Sequence, residues 1–283
     1  MHKARKQIQE NLARVDLIIE VLDARLPHSS ENPLVSRLRG DKPCIKVLSK
    51  SDLADPETTA QWQHYLGVEK GVKTLAITTE QPAHMRQLPE LCRKLAPGKA
   101  KSQRTINAMI LGIPNAGKST LINTLVGKSA AKVGNEPAVT KNQQRIKVDD
   151  QLILWDTPGM LWPKIENPNS GYRLASTGAI KVTAMDFEDV AFFAAEYLLK
   201  AYPENLRARF QLPQMPASEL ELLESIARRR GGLRPGGRVN LHKAAEVLLT
   251  ELRSGALGKV SLETPAVIVA EQALLATQQQ QDP

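Results

Sequence analysis

The sequence is poor in cysteine, in long apolar runs and in internal repetition. Its 283 residues include two cysteines, Cys44 and Cys92, too few for a disulfide framework. Two reduced thiols in a cytosolic protein are therefore expected. No apolar stretch approaches the roughly 20 residues that a membrane-crossing helix needs, and no membrane partner is expected. The N-terminus is charged from Lys3 onward and has no signal-peptide core, so the expected location is cytoplasmic. Acids and histidines such as Glu188, Asp189 and His242 have no metal-ligand spacing and read as surface or capping residues.

What is present is positive charge, with a net formal value of +8. A polyanionic partner suits that balance, and its distribution is more telling than its size. Arg228, Arg229, Arg230, Arg234 and Arg238 fall in a stretch without an acid, and Lys243 follows. Gly231, Gly232, Pro235, Gly236 and Gly237 break the same stretch into a flexible basic loop, which reads as a nucleic-acid contact.

Short apolar, β-branched runs at 17–22 (LIIEVL), 44–48 (CIKVL), 72–77 (VKTLAI) and 106–111 (INAMIL) read as strands, with further strands at 144–148 and 152–155. Helical patterns at about 56–66, 85–95 and 118–126 alternate with them, which predicts an α/β fold with a doubly wound, mostly parallel sheet. Beyond about residue 170 the pattern becomes helical, with amphipathic segments at 186–202, 218–229 and 241–253. The expected organisation is a nucleotide-binding domain at 1–174, a small all-helical domain at 175–265 and a flexible polar tail at 266–283.

Gly112-Ile-Pro114-Asn115-Ala116-Gly117-Lys118-Ser119 matches G-x-x-x-x-G-K-[ST], following a strand and opening a helix. Such a loop turns its backbone N–H groups inward on phosphate oxygens, and the helix adds its positive end. Pro114, Asn115, Ala116, Gly117, Lys118, Ser119 and Thr120 are the expected phosphate-side contacts. Lys118 would reach the β- and γ-phosphates, and Ser119 would ligate Mg²⁺. Asp156-Thr157-Pro158-Gly159 ends the strand 152–155, where Asp156 can hold Mg²⁺ through water and the Gly159 N–H can sense a γ-phosphate. Thr140, in a polar stretch between the two motifs, is the candidate to close over Mg²⁺ and the γ-phosphate.

Ser49-Lys50-Ser51-Asp52 follows the strand CIKVL and resembles the N/T-K-x-D motif that reads guanine. Asp52 can accept from the ring N–H and the exocyclic amine of guanine. Adenine would leave that carboxylate unpaired, which argues against an ATPase or metabolic kinase. Lys50 would lay its methylenes along the base, and Thr78 and Thr79 suit the last base-contacting loop.

These base-reading elements precede the P-loop rather than follow it. With Asp23-Ala24-Arg25-x-Pro27, SKSD, GIPNAGKST, DTPG and the Gly237-Arg238-Val239 and Arg253-Ser254-Gly255 segments, the chain resembles the circularly permuted ribosome-assembly GTPases of the YlqF/RbgA type over residues 1–264. That resemblance implies GTP/GDP binding and GTP hydrolysis in late maturation of the large ribosomal subunit, through contact with its rRNA. Oligomeric state is left open. Three departures stand out. Ser49 replaces the family's Asn, so a weaker link to the P-loop is expected. Ala138 stands where the switch loop usually has Gly. The family's Gly-His-Met segment precedes the Lys-Ala-Arg stretch, but this chain starts at the Met, and His2 does not inherit the catalytic role of that His. Either residues upstream of Met1 or another catalytic device is expected.

Met160 follows the D-x-x-G motif and cannot orient water as a glutamine would. Slow intrinsic hydrolysis is expected, with catalysis resting on Lys118, Thr140, Gly159 and the bound cations. Asn115 suggests K⁺ stimulation. A nucleotide-gated RNA-binding module with negligible hydrolysis is the alternative reading.

Overall fold

The computed structural model describes residues 9–127, 144–157, 165–180, 186–233 and 238–281. They divide into two compact units. One comprises residues 1–165 together with 263–283, and the other comprises residues 166–262.

The first unit is built on six strands: β1 (Leu17–Asp23), β2 (Cys44–Ser49), β3 (Val72–Ala76), β4 (Ile106–Gly112), β5 (Gln144–Lys147) and β6 (Leu152–Asp156). Their spatial order is β3-β2-β1-β4-β6-β5. All neighbours are parallel except the β5–β6 pair. Every residue of β1 and β2 is buried, which is why these strands are mostly apolar rather than alternating. From β1 the chain moves outward through β2 to β3, then returns to place β4 on the other side of β1. The order therefore reverses between β1 and β4, and ligands in such sheets bind outside the carboxyl ends of the strands at that reversal.

Helices fill the connections: α1 (Pro27–Ser30), α2 (Pro33–Arg39), α3 (Pro56–Gly67), α4 (Pro82–Met85), α5 (Leu88–Leu95), α6 (Pro97–Lys101) and α7 (Lys118–Val126). Asp55 caps α3 by accepting from Thr58 N at 2.7 Å, and Trp62 of that helix packs with Leu22 and Leu48.

The second unit is helical, with α8 (Pro168–Ser176), α9 (Phe187–Ala201), α10 (Pro203–Phe210), α11 (Glu219–Arg229) and α12 (Leu241–Ser254). Asp186, Ser218 and Asn240 cap α9, α11 and α12 through side-chain oxygens. Their apolar stripes share one core, which includes Leu198, Phe210, Ile226 and Leu248. The unit starts at Glu166 rather than at the 175 boundary expected from sequence. The reason is that Tyr172 and Ala175 of α8 pack into this helical core.

The expected flexible tail at 266–283 is corrected. Residues Pro265–Gln281 form a helix, α13. Ile268 on it is fully buried with Leu22, Leu48 and Trp62 of the first unit. Glutamine is a good helix former, so the polar composition that suggested disorder does not oppose a helix. Among the described residues, no helix is long and apolar enough to cross a membrane.

Candidate functional site

Four strand ends converge at the carboxyl edge of the sheet: Asp23 of β1, Ser49 of β2, Gly112 of β4 and Asp156 of β6. Gly112 is required by close approach, because a Cβ there would stand 2.5 Å from the Val21 carbonyl of β1. The loop that follows turns through two left-handed residues, Asn115 (φ 61) and Gly117 (φ 90), and α7 starts at Lys118. The first N–H groups of α7 have no helical partner and face the end of the strand. Pro114 and Ala116 are buried in this turn, while Asn115, Ser119 and Thr120 are half-buried.

Lys118 is 7% exposed and Asp156 is 1% exposed, with Lys118 Nζ 3.9 Å from Asp156 Oδ1. Thr157 Oγ1 donates to the Ile110 carbonyl at 2.8 Å, holding the Asp156 strand end beside the P-loop strand. Burial pushes the Asp156 carboxyl above its ordinary value despite Lys118. Burial likewise lowers Lys118, although Asp156 opposes it. Neither Asp156 oxygen has a hydrogen-bond partner among the described residues. An unsatisfied buried carboxylate is costly, and a hydrated divalent cation would satisfy it. The donor set of Ser119 hydroxyl and Asp156 carboxylate, both oxygen, fits Mg²⁺.

The second half of the pocket follows β2. Ser49 Oγ lies 2.8 Å from the Leu22 carbonyl and 2.5 Å from the Ala116 carbonyl of the P-loop. The two loops are thus joined through one hydroxyl. Lys50 is left-handed (φ 56), and its Nζ donates to Asp23 Oδ2 at 2.9 Å. Arg25 closes a buried fork on the same carboxylate, with Nε 2.9 Å from Oδ1 and Nη2 2.8 Å from Oδ2. Burial alone would raise Asp23, but Arg25 and Lys50 outweigh it and hold the carboxyl well below the usual carboxylate range. Burial would lower Arg25, but Asp23, with a contribution from Asp52, raises it. Ser51 is fixed by its N–H and Oγ to the Ile77 carbonyl, at 3.1 and 3.0 Å. Asp52 is half-buried, Thr78 is buried and Thr79 is exposed. Thr78 Oγ1 accepts from Glu80 N at 3.1 Å, forming a turn after β3.

This geometry brings Ser49, Lys50, Asp52, Thr78, Thr79, the 112–120 segment and Asp156 to one edge. Thr140 and Gly159, with Pro137, Ala138 and Met160, lie outside the described residues, as do Met1 and His2.

A family model for 50S ribosome-binding GTPases matches residues 107–201. The ribosome biogenesis GTPase A of Priestia megaterium is 44% identical over 274 residues, covering 94% of this chain and 95% of that protein. The chain belongs to the ribosome biogenesis GTPase A family. It is also similar to the ribosome biogenesis GTPase A of Thermotoga maritima, at 31% identity over 272 residues, with 96% of this chain and 95% of that protein covered. A GDP-bound structure of TM YlqF superposes with a TM-score of 0.65 at 28% identity, covering 92% of this chain and 99% of that one. A GNP-bound YlqF from T. maritima does so with a TM-score of 0.63 at 28% identity, covering 93% and 98%.

Within this ribosome biogenesis GTPase A fold, sequence reasoning assigned no role to Asp23 or Arg25 beyond their place in a family motif. It assigned nothing to Glu263, whose carboxylate accepts from the His28 and Ser29 N–H groups. The Asp23-Ala24-Arg25-x-Pro27 motif itself was the one available signal for the first pair. Nothing in the sequence around Glu263 marks it, because its partners lie more than two hundred positions upstream.

Proposed function

We propose that this GTPase acts in late assembly of the large (50S) ribosomal subunit, with Mg²⁺, and that the subunit stimulates a slow intrinsic turnover. The buried Lys118–Asp156 pair beside Ser119, joined through Ser49 to a base-reading loop, supports the nucleotide part of this reading, and the likeness to ribosome biogenesis GTPase A proteins supports the ribosome part. Lys118 neutralises charge on the β- and γ-phosphates as it develops in the transition state. The N–H groups at the start of α7 hold the same oxygens in place. When bound, Mg²⁺ supplies further positive charge there, held by Ser119 and Asp156. Asp52 selects guanine, with Lys50, Thr78 and Thr79 around the base. Thr140 and the Gly159 N–H complete the γ-phosphate side, and Asn115 recruits K⁺ in place of an arginine finger. The base-reading loop precedes the P-loop in the chain, so the motif order is circularly permuted.

The helical unit supplies the rRNA contact. Arg229 and Arg238 are exposed and form no ion pair among the described residues. Arg228 is held by Glu224 at 2.7 Å, and the Arg230 guanidinium stands over Phe210. Leu233 and Val239 pair as an isolated antiparallel bridge. Arg234, Pro235, Gly236 and Gly237 of the expected basic loop lie outside the described residues.

The deciding experiment is GTP turnover with and without purified large subunits at one stated salt concentration, because phosphate contacts make RNA affinity steeply salt-dependent. Stimulation of about tenfold or more is expected, well within what a supplied catalytic group achieves. Equal rates would overturn the reading. The same assay in Na⁺ and in K⁺ tests the role given to Asn115, and equal turnover would remove it.

A further inference from the structure

Glu263 is fully buried, and it is the first residue of the chain on its return from the helical unit. Its Oε1 accepts from the N–H groups of His28 at 2.6 Å and Ser29 at 3.0 Å, and its Oε2 accepts from the Ser29 hydroxyl. Its own carbonyl accepts from Trp62 Nε1 at 3.1 Å. A buried carboxylate so placed fixes α1 from behind. The simplest account is purely structural, a tie that seats α13.

The bonds on the far side of α1 carry the matter further. Ser30 Oγ accepts from Asp23 N at 3.1 Å and donates to the Pro27 carbonyl at 3.2 Å. α1 therefore sets the backbone of Asp23, whose carboxylate is the anchor of both Arg25 and Lys50. Lys50 occupies a left-handed conformation that costs a non-glycine residue about 1 kcal/mol or more, and the ion pair to Asp23 offsets that cost. The chain of contacts Glu263–α1–Asp23–Lys50 is continuous, lies wholly within the first unit and ends on the loop assigned to the base.

We propose that Glu263 is a positioning residue for guanine-nucleotide binding, acting through α1 and Asp23 on Lys50. It touches neither base nor phosphate and leaves Lys118, Ser119 and Asp156 alone. Its effect therefore falls on affinity rather than on the chemical step. This inference rests on the reading of Ser49–Asp52 as the guanine loop.

The test compares the full-length protein with Glu263→Gln and Ser29→Ala, measuring dissociation constants for fluorescent GDP and the KM and kcat of GTP turnover. Glu263→Gln keeps the shape but loses charge-assisted bonds. It is expected to raise Kd and KM about tenfold with kcat within about twofold of the parent. Ser29→Ala removes the hydroxyl bond to Glu263 and is expected to raise Kd about threefold, which keeps the proposal testable if Glu263→Gln fails to fold. In a Lys50→Ala background each effect is expected to shrink to less than about twofold, since coupled residues are non-additive. A lowered Tm with unchanged Kd would reduce Glu263 to a structural tie and overturn the proposal. So would an undiminished loss in the Lys50→Ala background. Asp52→Asn, assayed alongside, tests the underlying reading separately. If it fails to shift preference toward xanthine nucleotides, the guanine loop is misassigned whatever Glu263 does. If it does shift and the Glu263 and Ser29 variants bind normally, the positioning role alone fails.

Discussion

Two side chains of the first unit carry their chemistry on a single group each. Ser49 faces two carbonyls, of Leu22 and Ala116, with one hydroxyl hydrogen, so only one of them is fully served at a time. An asparagine amide carries two N–H donors. Ser49→Asn is therefore expected to tighten GDP and GTP binding by about threefold to tenfold, one added hydrogen bond's worth, with kcat unchanged. Calorimetric titration of each nucleotide checks it, and equal affinity would show that the hydroxyl already suffices. Glu20 is a second case. It lies in the middle of β1, 1% exposed. Its Oε1 accepts from Asn32 N at 2.9 Å, and its Oε2 has no hydrogen-bond partner among the described residues. Burial first, and Glu31 second, push its carboxyl up to about 8 from an ordinary 4.5, against the pull of Lys46. The folded protein keeps this proton where the unfolded chain releases it. Glu20 therefore costs stability progressively as pH rises from about 4.5 to about 8, after which the cost levels off. Glu20→Gln is expected to match the parent near pH 4.5 and exceed it in stability at pH 8. Urea unfolding at the two pH values measures the difference, and parallel pH profiles would refute it.

At the scale of elements, the strands were legible because β1, β2 and β4 are buried almost throughout and are therefore mostly apolar. α7 was legible because a phosphate loop has to be followed by a helix. The short helices α1, α2, α4, α6 and α10 were not. Each is brief and opens on proline, so the residue that signals a turn is also the one that starts the helix. α13 escaped for a different reason. Its apolar residues do not share one face, since Ile268 is buried while Val269 and Leu274 are exposed. Its docking depends on one side chain entering a pocket made by β1, β2 and α3. Ile268→Ala is accordingly expected to destabilise the first unit by about 2–4 kcal/mol. Thermal unfolding followed through Trp62, which packs beside it, is the measurement. A loss below about 0.5 kcal/mol would mean that α13 is a bystander.

For the whole molecule, the nucleotide site and the proposed rRNA contact fall in different units, so their mutants should separate. Arg229→Ala is expected to weaken binding to large subunits or rRNA uniformly across sequences and to reduce the salt slope by about 1, leaving GDP affinity as it was. Filter binding over a salt series shows this directly, and an unchanged slope would remove Arg229 from the interface. The motif order, legible in the sequence, places the helical unit after the D-x-x-G motif. It did not say that the chain comes back. Residues 166–262 are an insertion, leaving the first unit after Ile165 and rejoining it at Glu263. Within the insertion, Arg173 Nε donates to the Leu262 carbonyl at 3.1 Å, so its first helix holds its last residue. As a flexible loop of roughly a hundred residues, the insertion would oppose that return by about 4 kcal/mol of chain-closure entropy. Folded, it brings its own ends together and removes most of that opposition. The helical unit thus acts on the seat of Glu263 as a clasp acts on a necklace: loosening its fold lengthens the free chain, and the return site weakens through entropy alone.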